Sequence, residues 1–168
     1  MRRLRRRSNA RAKPALEGGV EGTRVTARYR ITTGDGRPTE ALVEAGQYGY
    51  AHSCVTSENF PARHAGGARE IVLLEFDHEV TSLEAITAAL ELGLERPAYE
   101  DALGFGIAHP DVQRQRPVVF LHDPWFGFFG RRDVLCLWSN GGRRELGLED
   151  FDARWSPRYR FAFVATDR

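Results

Sequence analysis

The sequence predicts an α+β domain behind a basic N-terminal extension, and three observations carry that expectation. Residues 24–32 alternate apolar and polar side chains with a period of two. Residues 81–109 hold two helical signatures, each with its own start and stop. Beyond residue 117, short apolar runs follow one another between Gly-rich and charged loops. A strand, a helix, a strand, two helices and then only strands indicate α+β rather than regular βαβ alternation. The expected architecture is two helices packed on a small, mostly antiparallel sheet.

The first strand sets Val25, Ala27, Tyr29 and Ile31 against Arg24, Thr26, Arg28, Arg30 and Thr32, one face buried and one wet. The Gly34-Asp35-Gly36 turn follows, and Pro38 opens a short helix that Gly46 closes. Residues 47–68 carry Gly, Pro, Ser and aromatics without a period and read as a long, partly packed loop. Ile71 to Phe76 is nearly all apolar, as expected of a strand covered on both faces. Thr81-Ser82-Leu83-Glu84 is a capping box, which satisfies two orphan backbone donors at a helix start. In that helix Leu83, Ile86 and Leu90 are expected to face the sheet, and Gly93 is the stop. Pro97 suits the first position of a second helix, whose Tyr99, Ala102, Leu103, Gly106 and Ile107 form one stripe ended by His109-Pro110. Val118–Leu121, Val134–Trp138, Glu145–Leu148 and Tyr159–Ala165 read as strands.

Composition narrows the function classes. With 168 residues, 42% of them hydrophobic and 28% charged, the chain has globular composition and room for one domain. No apolar run approaches the roughly 20 residues that span a bilayer. The net charge of +1 hides a division: Arg2, Arg3, Arg5, Arg6, Arg7, Arg11 and Lys13 crowd the first 13 residues with no acidic neighbour. That leaves 17 of the 24 basic residues against all 23 acidic ones, a formal balance of −6. Residues 1–22 therefore read as a basic tail and linker, and residues 23–168 as a single domain. Clustered arginines displace counterions from phosphates, so the tail is a candidate nucleic-acid contact; a solvated basic start is the plainer reading. No apolar segment follows it to make a secretion signal, and Cys54 and Cys136 form no CxxC pair. A soluble, cytoplasmic protein with free thiols and no membrane partner is expected.

No catalytic signature emerges. His52, Cys54 and His64 are possible soft ligands, but their spacing matches no common zinc pattern, so neither metal nor cofactor is expected. Asp77-His78 and His122-Asp123 each follow a strand, a common place for active-site residues and an equally common place for turn residues. Cys54 is a possible nucleophile, though a buried small thiol is the simpler reading. The C-terminal third is rich in aromatics, and Phe151, Trp155, Phe161 and Phe163 can support its loops from beneath. Ser139, Asn140, Arg143, Asp150, Ser156 and Arg158 are then free to point outward, with Tyr159 beside them. Rigid aromatics under adaptable polar loops suit a binding face, and Arg and Tyr are frequent hot-spot residues.

Two helices, the second introduced by Arg96-Pro97-Ala98, then Leu137-Trp138, the Leu146/Leu148 strand, Phe151, Trp155 and the Arg160-Phe161 ending resemble the bacterial, formylglycine-enzyme-like version of the C-type-lectin fold. The resemblance covers roughly residues 70–165. Some such proteins are targets of diversity-generating retroelements, which vary a C-terminal ligand-binding face, so the resemblance implies a non-enzymatic binding module with an unknown protein or ligand as partner. His109-Pro110-Asp111 and Trp138-Ser139-Asn140 fall short of the calcium and sugar motifs of that fold, and no catalytic cysteine pair is present; neither activity is implied. The alternative expectation is a nucleic-acid-associated protein acting through its tail.

Overall fold

The computed structural model describes residues 20–63 and 66–166. In chain order the elements are β1 (Thr23–Thr33), α1 (Thr39–Ala45), β2 (Tyr50–Ala51), β3 (Gly67–Phe76), β4 (Val80–Thr81), α2 (Ser82–Glu91), β5 (Leu94–Glu95), α3 (Tyr99–Ala108), α4 (Val112–Gln115), β6 (Val118–Val119), β7 (Trp125–Phe126), β8 (Arg132–Asn140), β9 (Arg143–Asp150), β10 (Arg154–Trp155) and β11 (Arg160–Ala165). The class is α+β. The sheet is larger than expected: among the described residues nine strands join it, in the order β1-β3-β11-β6-β8-β9-β2, with β5 beside β11 and β7 beside β8. Its pairings are antiparallel except β11 with β6 and β2 with β9. Among the described residues four α-helices flank it: the short α1 and the two longer helices have sequence signatures, the one-turn α4 has none, and α1 and α4 cover apolar sheet beside the two helices expected to pack on it.

Both faces of the sheet are buried, and period-two geometry explains how. Along β3, Val72, Leu74 and Phe76 enter a cluster with α2, while Ile71 and Leu73 enter a second cluster with α3. β8 repeats the division, with Val134 and Cys136 toward α2 and Leu135 and Leu137 toward α3. This accounts for the continuous apolar runs in these central strands. β4 and β10 form a small two-stranded pair that brings Val80 and Trp155 into the α2 layer.

Caps fix the two longer helices. Glu84 N–H donates to Thr81 Oγ1 at 3.2 Å and Thr81 N–H to Glu84 Oε2 at 3.3 Å, the reciprocal box that the sequence predicts. α3 starts at Tyr99, two residues after Pro97, and its Asp101 accepts the Ala98 N–H at 2.7 Å. The same carboxylate takes a bidentate pair from Arg69 at 2.6 and 2.8 Å, tying β3 to α3.

The phase of α2 departs from expectation. Ile86 is buried, but Leu83 and Leu90 are 68% and 57% exposed. The side chains that meet the sheet with Ile86 are Ser82, Ala85, Ala88 and Ala89. Small residues let the helix lie close to the strands, and that contact rotates the two leucines outward.

Candidate functional site

The residues singled out for chemistry hold structural positions. His122 is 1% exposed and follows β6, where its Nδ1–H donates to Asp123 O at 2.8 Å and its Nε2 accepts Leu135 N–H at 3.0 Å. Both ring nitrogens are thus committed to backbone. Burial, reinforced by the nearby Arg96 guanidinium, pushes its pKa down to about 4, so the ring is neutral near pH 7. Asp123 is exposed and pairs with Arg96 at 2.9 Å. Cys54 is half-buried, and the contact it makes with His52 runs from its backbone N–H to Nδ1 at 3.1 Å. Cys136 is buried in the α2 layer, where desolvation raises its thiol pKa far above the usual range. His64 lies outside the described residues. Among the described residues no three His, Cys, Asp or Glu side chains are placed to share a metal ion.

Asp77 and His78 do meet, with Nδ1 2.7 Å from Oδ1, on the exposed turn between β3 and β4. The arrangement orients the imidazole, but general-base work needs a nucleophile in reach as well. Among the described residues no hydrogen bond joins His78 to a hydroxyl or thiol.

The expected C-terminal loop residues divide into separate groups. Asn140 and Arg143 close the β8–β9 hairpin around Gly141 and Gly142, whose φ values of 58° and 86° are those of a type I′ turn. Ser139 sits one pair further in, opposite Arg144. Arg143 Nη2 donates to Gly49 O at 2.8 Å, and its guanidinium lies over Tyr50 at 5.9 Å. Asp150 stands at the other end of β9, opposite Asp133, roughly 24 Å along the strand at 3.4 Å per residue. Ser156, Arg158 and Tyr159 belong to the turn before β11. There Arg158 lies over the Tyr159 ring at 5.5 Å, and Tyr159 packs on Trp155 at 5.1 Å. Arg143 and Arg158 are exposed, whereas Asp150 and Ser156 are half-buried.

Two surface features escaped the sequence reading. One is the β7–β8 connection, where Phe126 and Phe129 are exposed and Phe129 has a φ of 65°. The other is the outer face of α2. Leu83, Thr87 and Leu90 follow helical spacing along it, beside a groove of about 390 Å³ floored by Val20, Phe76, Val80 and Ala88. Glu21, Glu84 and Glu91 stand around this groove, and among the described residues no Arg or Lys lines it. The signal was present in Ala85, Ala88 and Ala89, a small-residue stripe on the opposite side of the helix from Leu83 and Leu90.

The chain matches no protein-family model, and no curated protein or solved structure is detectably similar to it. The tail residues Arg2, Arg3, Arg5, Arg6, Arg7, Arg11 and Lys13 lie outside the described residues. Among the described residues no helix is long and apolar enough to cross a membrane.

Proposed function

We propose that this protein is a non-enzymatic binding module whose docking surface is the outer face of α2. The observation that carries the reading is the exposure of Leu83 and Leu90 on one helical stripe above an apolar groove. Seven residues apart on a helix, they stand about 10 Å from each other, a spacing at which one partner segment can engage both. Exposed apolar patches rimmed by polar groups commonly mark interaction sites. The three glutamates at the rim favour a partner with basic residues around its apolar anchors. The non-enzymatic part of the reading is supported by His122 and Cys136, whose reactive atoms are occupied or buried.

The C-type-lectin-like resemblance bears on this proposal through its expectation of a ligand face, with α2 and α3 preceding the strand-rich half as its support. No residue role is carried over from it. A partner on the expected loop residues would meet Asn140 and Arg143 at one hairpin tip, or Arg158 and Tyr159 at the turn before β11. The tail supports a second reading: seven positive charges within 13 residues suit a phosphate backbone.

Comparative capture tests the assignment. The full chain, a Leu83→Ser/Leu90→Ser variant and an Asn140→Ala/Arg143→Ala/Arg158→Ala variant are each cross-linked in native lysate, with and without nuclease. Species lost only from the leucine variant support the α2 face. Species lost only from the loop variant move the site to the hairpin tip or the turn before β11, and nuclease-sensitive capture by all three assigns it to the tail.

A further inference from the structure

We propose that the basic N-terminal segment of this chain, residues 1–13, is an intramolecular occupant of the α2 groove and competes there with external partners. The inference rests on the reading of the outer α2 face as a docking surface and adds what regulates it.

Three observations converge. Val20, the first described residue, itself lines the groove, so the preceding chain leaves from the site's own wall. Lys13 is seven residues upstream, and seven residues reach up to about 24 Å when extended, whereas the ten residues of α2 span about 15 Å. The segment can therefore lie across the whole helix without displacing any described element. Charge gives the second observation. Glu21, Glu84 and Glu91 line the groove, no Arg or Lys among the described residues does, and His78, which also lines it, is engaged by Asp77 at 2.7 Å. Glu84 uses one carboxylate oxygen on the Thr81 N–H and keeps the other free of that bond. The segment brings six arginines and one lysine with no acidic residue. The third observation is apolar. Leu83 and Leu90 need contacts of low polarity, and Arg stems lay methylenes on such surfaces while their guanidinium groups reach carboxylates at the rim. Leu4, in the middle of the arginine run, adds an aliphatic anchor.

Tethering makes a modest intrinsic affinity sufficient. A short linker gives an effective concentration in the millimolar range, so a segment that binds with a Kd near 100 µM in free solution would be about 90% docked in cis. Occupancy also makes the two functional readings mutually exclusive in one molecule. A docked tail covers the α2 face and withholds its own arginines from phosphate, and a partner of either kind releases the other surface.

The test uses full-length proteins and a synthetic peptide of residues 1–13 as the probe. Peptide binding is titrated by fluorescence anisotropy, at low salt, against three chains. They are the wild type, a tail-neutralised variant (Arg2→Gln, Arg3→Gln, Arg5→Gln, Arg6→Gln, Arg7→Gln) and the same variant carrying Leu83→Ser/Leu90→Ser. The proposal expects the tail-neutralised chain to bind the peptide at least tenfold more tightly than the wild type. It expects the added leucine changes to abolish that binding, and 0.5 M salt to weaken it. Equal binding to wild type and tail-neutralised chains overturns the intramolecular occupant and leaves the α2 docking surface standing. Binding that survives the leucine changes places the peptide elsewhere and overturns the inference. A wild-type affinity that falls as protein concentration rises assigns the tail to a neighbouring copy and overturns docking in cis. Loss of partner capture by the leucine variant, in the experiment above, reads the functional assignment independently of all these outcomes.

Discussion

His122 shows how a single buried side chain sets a pH dependence without taking part in chemistry. Its ring is neutral in the folded protein down to about pH 4, whereas in the unfolded chain it gains a proton near pH 6.5. Between those values the unfolded state binds more protons, so stability rises with pH across that window and falls as the solution is acidified through it. The full effect is about 3 kcal/mol, complete below pH 4. His122→Gln retains an acceptor near Leu135 N–H and removes the titration. Urea unfolding at pH 4.5 and pH 7 should show a smaller difference for the variant than for the wild type, by about 2–3 kcal/mol. Equal differences would mean that the ring is protonated in place. Ser82 offers a second test at this scale. Its hydroxyl donates to Phe151 O at 2.6 Å and accepts Trp155 Nε1–H at 2.9 Å, all three residues being buried. Ser82→Ala leaves an indole donor and a carbonyl unsatisfied, and should lower stability by about 2–4 kcal/mol in denaturant titration.

At the scale of elements, α2 separates packing from presentation. Ile86→Ala removes buried methylenes from the α2 layer and should cost about 2–5 kcal/mol. In the tail-neutralised chain, Leu83→Ala and Leu90→Ala should each change stability by no more than about 0.5 kcal/mol, since those side chains then stand in solvent. Thermal melts of the three variants check the helix phase directly. A large loss at Leu83 would restore the original expectation that leucines form its inner face. β1 illustrates a related economy at an edge. Among the described residues it pairs only with β3, and its other edge would invite foreign strands. Arg24, Arg28 and Arg30 place charge along it, while His109 Nε2 lies 2.8 Å from Arg30 O and engages one of its carbonyls.

At the scale of the molecule, Arg144 joins layers that are distant in sequence. Its buried guanidinium donates to Gly46 O after α1, to Gly106 O of α3 at 2.7 Å and to Gln113 Oε1 of α4 at 3.0 Å, and stacks on Tyr48 at 4.7 Å. Removing it strands those acceptors together, so Arg144→Ala should destabilise by about 3–5 kcal/mol. Lysine cannot reproduce the planar fork, and Arg144→Lys should recover little of the loss in the same chemical unfolding assay. The two covered sheet faces give a further whole-molecule expectation. Ellman's reagent should modify Cys54 in the native protein and reach Cys136 only after unfolding, because Cys136 is 1% exposed. Rapid modification of both thiols would show that the α2 layer opens readily.

Local rules sufficed wherever a residue's neighbours in sequence are also its neighbours in space. The strand over residues 24–32, the Thr81–Glu84 box and the long central strands appear in the structure where the sequence places them, except that a register shift between Val25 and Ala27 breaks the alternation and leaves Val25 41% exposed rather than on the buried face. The two-residue strands β2, β4, β5, β7 and β10 carry no such signal, since a pair of residues has no period and is ordered only by the strand it joins. The candidate site followed the same division. A polar loop residue looks equally free whether it stands at Asn140 or at Asp150, and only the extended length of β9 puts the two at opposite ends. Leu83 and Leu90 looked like core because leucine in an amphipathic helix usually is. The alanines on the other side of α2 fit closer to the sheet, and that choice between two apolar faces was made by tertiary packing. The sequence by itself determined the class, the main elements and the division of charge between tail and body; close packing against both faces of one sheet decided which side chains were left for a partner.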